Sequence, residues 1–232
     1  MREIEVSVVM PCLNEQATIG ACIEKAHRTL KNLCISGEIV VADNGSTDNS
    51  VAIAQSLGAQ VVHQPCRGYG AAYQTGIAAA QGKSIVIGDS DDTYDFSELN
   101  RFILPLRQGY DLVMGSRFKG EIRPGAMPWL HRYVGNPFLT GMLNLLFKAG
   151  VSDAHCGMRA FTREAYEQMK LKTPGMEFAS EMVIKAVQAG LRIAEVPITY
   201  YPRKGESKLH SFRDGWRHLR FMLSEVSRTA KS

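Results

Sequence analysis

Residues 85–95 of this chain read IVIGDSDDTYD, and this stretch sets both the predicted fold and the predicted chemistry. Its first three residues are β-branched and apolar, which is typical of a short buried strand, and Gly88 ends that strand. Four carboxylates follow within seven residues: Asp89, Asp91, Asp92 and Asp95. Carboxylates this close repel one another and resist ionisation unless a cation lies between them. Mg²⁺ and Mn²⁺ prefer oxygen ligands, so the pattern indicates a divalent ion that carries a phosphorylated substrate. The alternative is a solvated acidic turn in which Asp91 or Asp92 caps a helix.

The bulk composition is that of an ordinary globular protein. The chain has 232 residues, of which 45% are hydrophobic and 22% charged, enough for one large domain with a substantial core. Its five cysteines are scattered without CxxC spacing, which favours a reducing compartment over a disulfide framework or a zinc site. Met1 leads directly into a polar, strand-like segment, so the sequence predicts no secretory signal and a cytoplasmic protein.

Positive charge is concentrated near the C-terminal end. The net charge is +4, and residues 201–232 contain eight Lys or Arg against three acidic residues. Such a segment suits nucleic acid, an anionic membrane surface or phosphate-bearing ligands. No RNA-binding signature or helix-turn-helix pattern accompanies it, so the sequence predicts no nucleic-acid partner.

Strand-like and helix-like segments alternate along the first half of the chain, which indicates parallel βαβ units and an α/β sheet. In such sheets ligands bind beyond the carboxyl ends of the strands. Four polar segments follow predicted strands there: residues 11–15, 43–48, 67–70 and 89–95. Their convergence on one sheet edge favours the interpretation of the acidic stretch as a metal and phosphate site.

Two other nucleotide-binding classes are excluded. A Rossmann dehydrogenase has GxGxxG after its first strand, whereas this chain has PCLNE at residues 11–15. Its GxG at residues 68–70 follows the third predicted strand, and Tyr73 stands where the last glycine belongs. The P-loop pattern GxxxxGK(S/T) is absent from the sequence.

The ordered set of motifs resembles family 2 glycosyltransferases with the GT-A fold. These motifs are VSVVMPCLNE (6–15), VVADNGSTD (40–48), GDSDDTYD (88–95) and GSRF (115–118). VSDAHCGMRAF (151–161) and RKGESKL (203–209) look more specifically like the dolichyl- or polyprenyl-phosphate mannosyl- and glucosyltransferase branch. The likeness implies a Rossmann-like, mostly parallel central sheet flanked by helices, with an amphipathic C-terminal helix.

The resemblance also implies an organisation and a reaction. Residues 1–210 would form the GT-A domain, with a nucleotide-sugar-binding half at 1–115 and an acceptor half at 116–210. A basic amphipathic helix would follow at 211–232. The implied reaction is metal-dependent, inverting transfer of a hexose from a UDP-glucose or GDP-mannose type of donor to a polyprenyl or dolichyl phosphate, with Mg²⁺ or Mn²⁺ as cofactor.

On the donor side, the resemblance assigns Pro11, Glu15 and Asp43 to the base and ribose of the nucleotide-sugar. Asp89 and Asp91 would hold the metal and the donor diphosphate, with Asp91 as a catalytic residue.

Two positions depart from the family pattern. Some members of the branch have Gln two residues after the second aspartate, where this chain has Thr93. The third metal ligand is therefore open between Asp92 and water. Asn44 stands where a second aspartate is common, which removes a charge and keeps hydrogen bonding.

The resemblance places the acceptor contacts in the second half of the chain. Arg117, as a catalytic residue, would grip the acceptor phosphate with its forked guanidinium, with Arg132 and Ser207 as further contacts. Arg203 and Lys208, in a flexible basic loop, would close over the donor diphosphate as a lid does.

Residues 129–148 are mostly apolar but are interrupted by polar side chains, so they do not predict a transmembrane span. Pro137 is expected to kink this stretch. Residues 129–148 form either part of the core or a hydrophobic groove that includes Arg132.

Asp153 and His155 define the main alternative. Such a pair can supply a general base for a hydroxyl acceptor, with Asp153 as the catalytic base, whereas a phosphate acceptor is already anionic. A catalytically silent nucleotide-sugar-binding protein is a further alternative. Glu177 and Glu181, one helical turn apart, either face the site or cap and solvate their helix.

The C-terminal tail has a helical period with an apolar stripe beside a basic one. The apolar stripe is Phe212, Trp216, Leu219, Leu223 and Val226, and the basic stripe is Arg213, Arg217 and Arg220. This arrangement suits an interfacial helix on an anionic membrane and equally a helix packed on the domain. The first case predicts a peripheral protein on the cytoplasmic face of a membrane.

Overall fold

Seven strands and eight α-helices are formed by the residues that this computed structural model describes, 3–205 and 211–229. The strands are β1 (Val6–Cys12), β2 (Gly37–Asp43), β3 (Gln60–His63), β4 (Ser84–Ile87), β5 (Leu112–Ile122), β6 (Arg159–Thr162) and β7 (Ile193–Tyr200). The helices are α1 (Ile19–Asn32), α2 (Ser50–Ser56), α3 (Tyr69–Ala79), α4 (Leu99–Arg107), α5 (Asn136–Phe147), α6 (Arg163–Met169), α7 (Phe178–Gln188) and α8 (Ser211–Thr229). A 3₁₀ turn, Phe96–Glu98, precedes α4, and a π-helical turn, His131–Gly135, precedes α5.

The strands form one sheet in the order β3-β2-β1-β4-β6-β5-β7. β1 pairs in parallel with β2 and β4, β2 with β3, and β5 with β7. Only β6 is antiparallel among these described strands, and it lies between β4 and β5. The predicted α/β fold with a mostly parallel central sheet, flanking helices and a C-terminal helix is confirmed. β6 is absent from the predicted elements because its residues, RAFT, lack the run of β-branched apolar side chains that marks the equally short β3 and β4.

The strand order positions the site. β2 and β3 continue the sheet on one side of β1, while β4 continues it on the other, so the order of the strands reverses at β1. Ligands of open α/β sheets bind in the crevice outside the carboxyl ends of the strands at such a reversal. β1, β2 and β4 therefore direct the polar segments that follow them into one crevice.

Two apolar clusters hold the helices against the two faces of the sheet. α1 and α4 cover one face, where Ile19, Ile23 and Phe102 are fully buried. α3 and α7 cover the other face with Tyr73 and Phe178. Because both faces are covered, the central strand β1 is a nearly continuous apolar run, as is typical of parallel sheets.

Few side chains of residues 129–148 are buried. Pro137 lies in the first turn of α5, directly after the π-helical turn, and the kink expected at this proline stays a prediction. Only Thr140 and Leu143 of α5 are buried. Six large apolar side chains are instead exposed and are called here the apolar surface: Trp129, Leu130, Tyr133, Val134, Phe138 and Leu145. Among the described helices, none is long and apolar enough to cross a membrane.

Helix α8 packs against α5 and α7 with a face that is largely polar. Its buried side chains are Asp214, His218, Met222 and Glu225. Two members of the predicted apolar stripe, Trp216 and Leu223, face outward and are 65% and 52% exposed. The side chain of Phe212, a third member, lies outside the described residues. The helix is therefore packed on the domain and still presents large apolar side chains to its surroundings.

Candidate active site

The loops that follow β1 and β2 are joined by hydrogen bonds from backbone to side chain. The Glu15 N–H donates to Ser50 Oγ at 2.8 Å, and the Thr47 N–H donates to Asn14 Oδ1 at 2.7 Å. Pro11 joins this group to the acidic segment, because its carbonyl accepts from Ser90 Oγ at 2.6 Å. These contacts bring two of the predicted donor residues, Pro11 and Glu15, to the crevice at the end of β1.

Asp43 ends β2, and its carboxylate accepts hydrogen bonds from its own turn. The Ser46 N–H donates to Oδ1 at 3.0 Å and the Gly45 N–H to Oδ2 at 3.3 Å, while His63 Nδ1 lies 3.2 Å from Oδ2. Burial alone would raise the pKa of Asp43, but the hydrogen bonds from Ser46 and His63 lower it below its ordinary value. The structure therefore holds an ionised carboxylate at the position predicted to contact the nucleoside.

Asn44 fastens the segment that precedes α3. Its Nδ2 donates to the carbonyls of Gln64 and Cys66, both at 2.9 Å, and its Oδ1 accepts from the Gly68 N–H at 2.8 Å. A carboxylate has no proton to donate to the two carbonyls. This network gives a physical reason for the amide that departs from the family pattern.

Asp89 is held by two tyrosines of α3. The hydroxyls of Tyr69 and Tyr73 both donate to Asp89 Oδ1 at 3.0 Å. Burial and the neighbouring charge of Asp91 raise the pKa of Asp89 to about 7, although the two hydroxyl groups act in the opposite direction. The two tyrosines are site residues that the sequence analysis missed, and their i, i+4 spacing after a glycine-rich turn is the signal that marks them.

Asp91 has a different partner on each carboxylate oxygen. Its Oδ1 accepts from the N–H of Thr93 at 3.1 Å and from the hydroxyl of Thr93 at 2.6 Å. Its Oδ2 lies 2.9 Å from Nη1 of Arg203, whose Nη2 also pairs with Glu15. Thr93 thus orients Asp91, and the guanidinium of Arg203 bridges two predicted donor-site carboxylates.

Asp92 points to two lysines, and of the two alternatives for the third metal ligand, Asp92 or water, this pairing favours water. Lys25 of α1 lies 2.7 Å from Oδ1, and Lys204 lies 2.7 Å from Oδ2. Burial would raise the pKa of Asp92, but the two ammonium groups lower it. Its φ of 61° places Asp92 in the left-handed region of backbone conformation. The neighbouring Asp95 caps the following 3₁₀ turn by accepting from the Ser97 N–H at 3.0 Å.

The end of β7 places the basic loop that begins at Arg203 beside the acidic segment 89–95. Tyr200 forms an isolated antiparallel bridge with Tyr94, and the Tyr201 N–H donates to the carbonyl of Thr93 at 3.0 Å. Arg203 and Lys204 follow directly. The predicted meeting of Arg203 with the donor residues therefore has a structural basis, whereas the predicted contacts Ser207 and Lys208 lie outside the described residues.

The residues present fit a divalent ion that is shared with a diphosphate. Among the described residues, no cluster of three or more His, Cys, Asp or Glu side chains is arranged to hold an ion. Mg²⁺ in phosphate-transfer sites commonly uses one or two carboxylates and completes its shell with phosphates and water. Arg203 already places a cation on Asp91, and a Cβ on Gly157 would lie 2.8 Å from Asp89 Oδ2, so the glycine leaves room there. Asp89 and Asp91 are the residues that would hold the ion.

Arg117 and Asp153 form a buried pair, and this geometry corrects both predicted roles. Nε and Nη2 of Arg117 donate to the two carboxylate oxygens of Asp153 at 2.7 and 2.8 Å, and the Arg117 N–H adds a third bond. The side chains are 7% and 0% exposed. Asp153 is therefore not accessible as a base for a hydroxyl acceptor, and the fork of Arg117 is engaged within the protein instead of open to a phosphate.

His155 does not pair with Asp153 either. Its Nε2 lies 3.2 Å from Ser180 Oγ, and its ring packs edge-on against His218 at 4.6 Å. Burial and the neighbouring His218 lower the pKa of His155 well below its ordinary value, so the ring is neutral. The predicted Asp–His pair is wrong, and His155 belongs to the packing between α7 and α8.

Glu177 and Glu181 have structural partners. Glu181 accepts from the N–H groups of Lys172 and Thr173 and from the Thr173 hydroxyl at 2.6 Å, so it organises the segment before α7. Glu177 pairs with Arg217 of α8 at 2.8 Å. The interpretation in which both face the site is wrong.

Arg132 lies in the π-helical turn, half-exposed, with its guanidinium 5.3 Å from the ring of Tyr133. Neither a hydrogen bond nor an ion pair joins it to the described residues of the donor crevice. Among the described residues, no hydrogen bond or ion pair joins Arg132 to Arg117, and the role of Arg132 at an acceptor phosphate stays a prediction.

Comparisons with known proteins agree with this architecture. Residues 7–170 match the sequence model of the family described as glycosyl transferase family 2. The low-salt glycan biosynthesis hexosyltransferase Agl6 of Haloferax volcanii is 52% identical over 219 residues, which cover 94% of this chain and 53% of that protein. The chain thus spans about half the length of this relative. The dolichyl-phosphate hexose transferase of the same organism is 36% identical over 213 residues, 91% of this chain and 89% of that protein.

A solved structure shares the fold. The crystal structure of glucosyl-3-phosphoglycerate synthase from Mycobacterium tuberculosis, in complex with Mn²⁺, uridine diphosphate and glucosyl-3-phosphoglycerate, aligns with a TM-score of 0.77 and 25% identity. The alignment covers 97% of this chain and 80% of that chain, and it confirms the predicted GT-A architecture. The family match, the relatives and the fold agree: the chain belongs to the family 2 glycosyltransferases.

Proposed function

We propose that this chain transfers a hexose from a nucleotide-sugar to a polyprenyl phosphate with the help of a divalent ion. The observation that carries the proposal is the meeting of Asp89, Asp91 and Arg203 in the crevice at the ends of β1, β2 and β4. A diphosphate bound to a metal ion needs carboxylates for the ion and a cation for its own oxygens. This crevice supplies both.

The donor would be held by groups of the first half of the chain. Asp43 and Glu15 would contact the nucleoside, because both carboxylates lie at strand ends beside Pro11. When bound, Mg²⁺ or Mn²⁺ would stabilise the negative charge that develops on the leaving diphosphate. Arg203, half-buried at 23% exposure, can exchange its carboxylate partners for phosphate oxygens without unfolding a buried network.

The acceptor is proposed from three observations. One relative carries the name dolichyl-phosphate hexose transferase. Asp153 is sealed behind Arg117, and a phosphate acceptor, already anionic, does not need a base. The half-exposed Arg132 lies within the apolar surface, beside Trp129 and Tyr133, so a phosphate on a long apolar chain matches both the charge and the apolar side chains around it. Arg132 is therefore the proposed phosphate contact.

The apolar surface and α8 also support a peripheral position on a membrane. Trp129 and Phe138 are 68% and 56% exposed, and α5 packs against α8, which exposes Trp216 and the basic Arg220. Exposed aromatic rings beside arginines are the composition that binds the interface of an anionic bilayer. We propose that the protein works from the cytoplasmic side, a placement consistent with five free cysteines.

The test is a transfer assay with a panel of donors and acceptors. UDP- and GDP-hexoses are offered with a polyprenyl phosphate, the matching polyprenol or 3-phosphoglycerate, with Mn²⁺ or with EDTA. We expect product on the polyprenyl phosphate alone, lost in EDTA. Product on the polyprenol or on phosphoglycerate would contradict the lipid-phosphate acceptor, and the absence of product from every pair would contradict a catalytic role.

A further inference from the structure

We infer that Tyr69 and Tyr73 make Asp89 a single-oxygen ligand and thereby set the preference of the site for small divalent ions over Ca²⁺. This inference rests on the proposed function, since it concerns the ion of the same site. It assigns a role to the GxG segment at residues 68–70 and to Tyr73, which no dinucleotide-binding pattern explains.

The two phenol groups are fixed in place before any ligand arrives. α3 begins at Tyr69, and the spacing of four residues puts Tyr73 on the same side of the helix. Their rings pack edge-on at 4.9 Å, and Tyr73 stacks on Phe178 of α7 at 5.8 Å. Tyr73 has no exposed surface. The two hydroxyl groups therefore reach Asp89 from side chains that packing holds in place.

Close packing of the backbone keeps the start of α3, with both tyrosines, against the site. A Cβ on Gly70 would collide with the carbonyl of Thr173 and would lie 2.9 Å from Cβ of Phe178. The Ala71 N–H donates to the carbonyl of Pro174 at 3.0 Å. The glycines of the GxG segment therefore let the start of α3 approach the segment before α7, and this approach seats both tyrosines.

The two oxygens of Asp89 are unlike each other. Oδ1 accepts a hydrogen bond from each of the two tyrosine hydroxyls, and two such bonds occupy the in-plane lone pairs of a carboxylate oxygen. Among the described residues, none donates a hydrogen bond to Oδ2. Oδ2 adjoins Gly157, where a Cβ would lie only 2.8 Å away, so a side chain at that position would occupy the space beside the oxygen. Oδ2 is the oxygen left for an ion.

This asymmetry matters for the choice of ion. Ca²⁺ takes six to eight oxygen ligands in flexible geometry and often binds both oxygens of a carboxylate, whereas Mg²⁺ is smaller and demands near-octahedral geometry. A carboxylate with one occupied oxygen can serve the smaller ion but cannot offer the second oxygen that Ca²⁺ favours. The tyrosines thus act as positioning residues, through Asp89, and contact neither the ion nor the substrate.

The test compares ion binding in the wild type with binding in the Tyr69→Phe/Tyr73→Phe double variant. Free Mn²⁺ is measured by electron paramagnetic resonance in the presence of UDP or GDP, and Ca²⁺ is then titrated as competitor. Tyr166→Phe is the matched control, because Tyr166 stacks on Phe161 and makes no hydrogen bond to any described residue of the acidic segment. Thermal unfolding of all variants is recorded in parallel.

We expect the ratio of Mn²⁺ to Ca²⁺ affinity to fall about tenfold or more in the double variant, the usual scale for groups that orient a metal ligand, and to stay unchanged in the control. A general loosening of the fold would weaken both ions alike, so the ratio separates a selectivity role from a structural one. An unchanged ratio would overturn the inference while leaving the proposed function intact. Failure of the wild type to bind Mn²⁺ with either nucleotide would overturn both.

Discussion

Two arginine–carboxylate groups, one in the crevice at the ends of β1, β2 and β4 and one at the end of β5, use the same chemistry but differ in the exposure of the arginine. Arg203 bridges Glu15 and Asp91 with 23% of its side chain exposed, whereas Arg117 and Asp153 are 7% and 0% exposed. Water can replace the protein partners of Arg203 but has little access to Arg117. The first group is therefore suited to exchange its partners for a ligand, and the second to hold strand β5 and the 151–157 segment together.

The largest effect is expected from breaking the buried pair. Asp153→Asn leaves the guanidinium of Arg117 buried without a counter-charge, so the free energy of unfolding should fall by about 3–5 kcal/mol. Arg203→Gln is the matched variant. It removes a counter-charge from Glu15 and Asp91, but water can replace the partly exposed guanidinium, so the loss should be clearly smaller. Urea denaturation of both variants measures the difference. Equal losses would show that the two groups do not differ as their exposure indicates.

The next effect concerns catalysis at the accessible group. Asp91→Asn keeps the shape of the side chain but removes the charge that the ion requires, so transfer should fall about a hundredfold or more, with little change in stability. Asp95→Asn is the control, because an amide oxygen can still cap the Ser97 N–H and transfer should stay within about twofold. Initial rates with saturating donor measure both. Turnover of Asp91→Asn at the wild-type rate would exclude Asp91 from the reaction.

A smaller effect is expected at the far end of the donor crevice. Asp43→Asn keeps an oxygen for the N–H groups of Ser46 and Gly45 but loses the charge proposed to meet the nucleoside. Nucleotide affinity should fall about tenfold, the scale of one charge-assisted hydrogen bond, with a weaker effect on the rate of the bound complex. Calorimetric titration with UDP and GDP checks the affinity. Unchanged affinity for both nucleotides would place Asp43 outside the donor site.

An effect of similar size is expected on the apolar surface, which includes no residue of either arginine group. Trp129→Ser/Phe138→Ser should weaken binding to anionic vesicles about tenfold, because each ring contributes on the order of 1.5–3 kcal/mol when fully buried and less when it is partly inserted. Leu33→Ser is the control, since Leu33 is exposed at the end of α1, away from this surface. Vesicle sedimentation at low and high salt measures binding, and salt should weaken it by screening the arginines. Equal binding of the double variant and the control would contradict a membrane contact there.

The crevice at the ends of β1, β2 and β4 was largely predictable because its position follows from local rules. Apolar runs ending in polar segments marked β1, β2 and β4, and the sheet rule then brought Asp43 and Asp89 to one edge. The same rules say nothing about partners that are distant in sequence. The contact between Arg203 and Asp91 spans 112 residues and depends on the bridge between Tyr94 and Tyr200, which no local pattern encodes.

Residues 116–210 were predicted less well for two physical reasons. β6 lacks a run of β-branched apolar residues and is antiparallel, so neither its composition nor the alternation of strands and helices indicates it. Polar residue types also do not reveal burial: Asp153 looks like a candidate base until its pairing with Arg117, 36 residues away, is known. The exposure of the Trp129 and Phe138 rings was unpredictable for the same reason, since an apolar stretch alone does not reveal whether its side chains face the core or the surface.

Metal-dependent binding of a nucleoside diphosphate tests the central claim most directly. UDP and GDP are titrated calorimetrically into the wild-type protein with Mn²⁺ and, after metal stripping, with EDTA. Because Asp89 and Asp91 would hold the diphosphate only through the ion, at least one nucleotide should bind with Mn²⁺ and lose about tenfold or more in affinity with EDTA. Equal affinity in the two buffers would contradict the proposed metal site, whatever sugar or acceptor the enzyme uses.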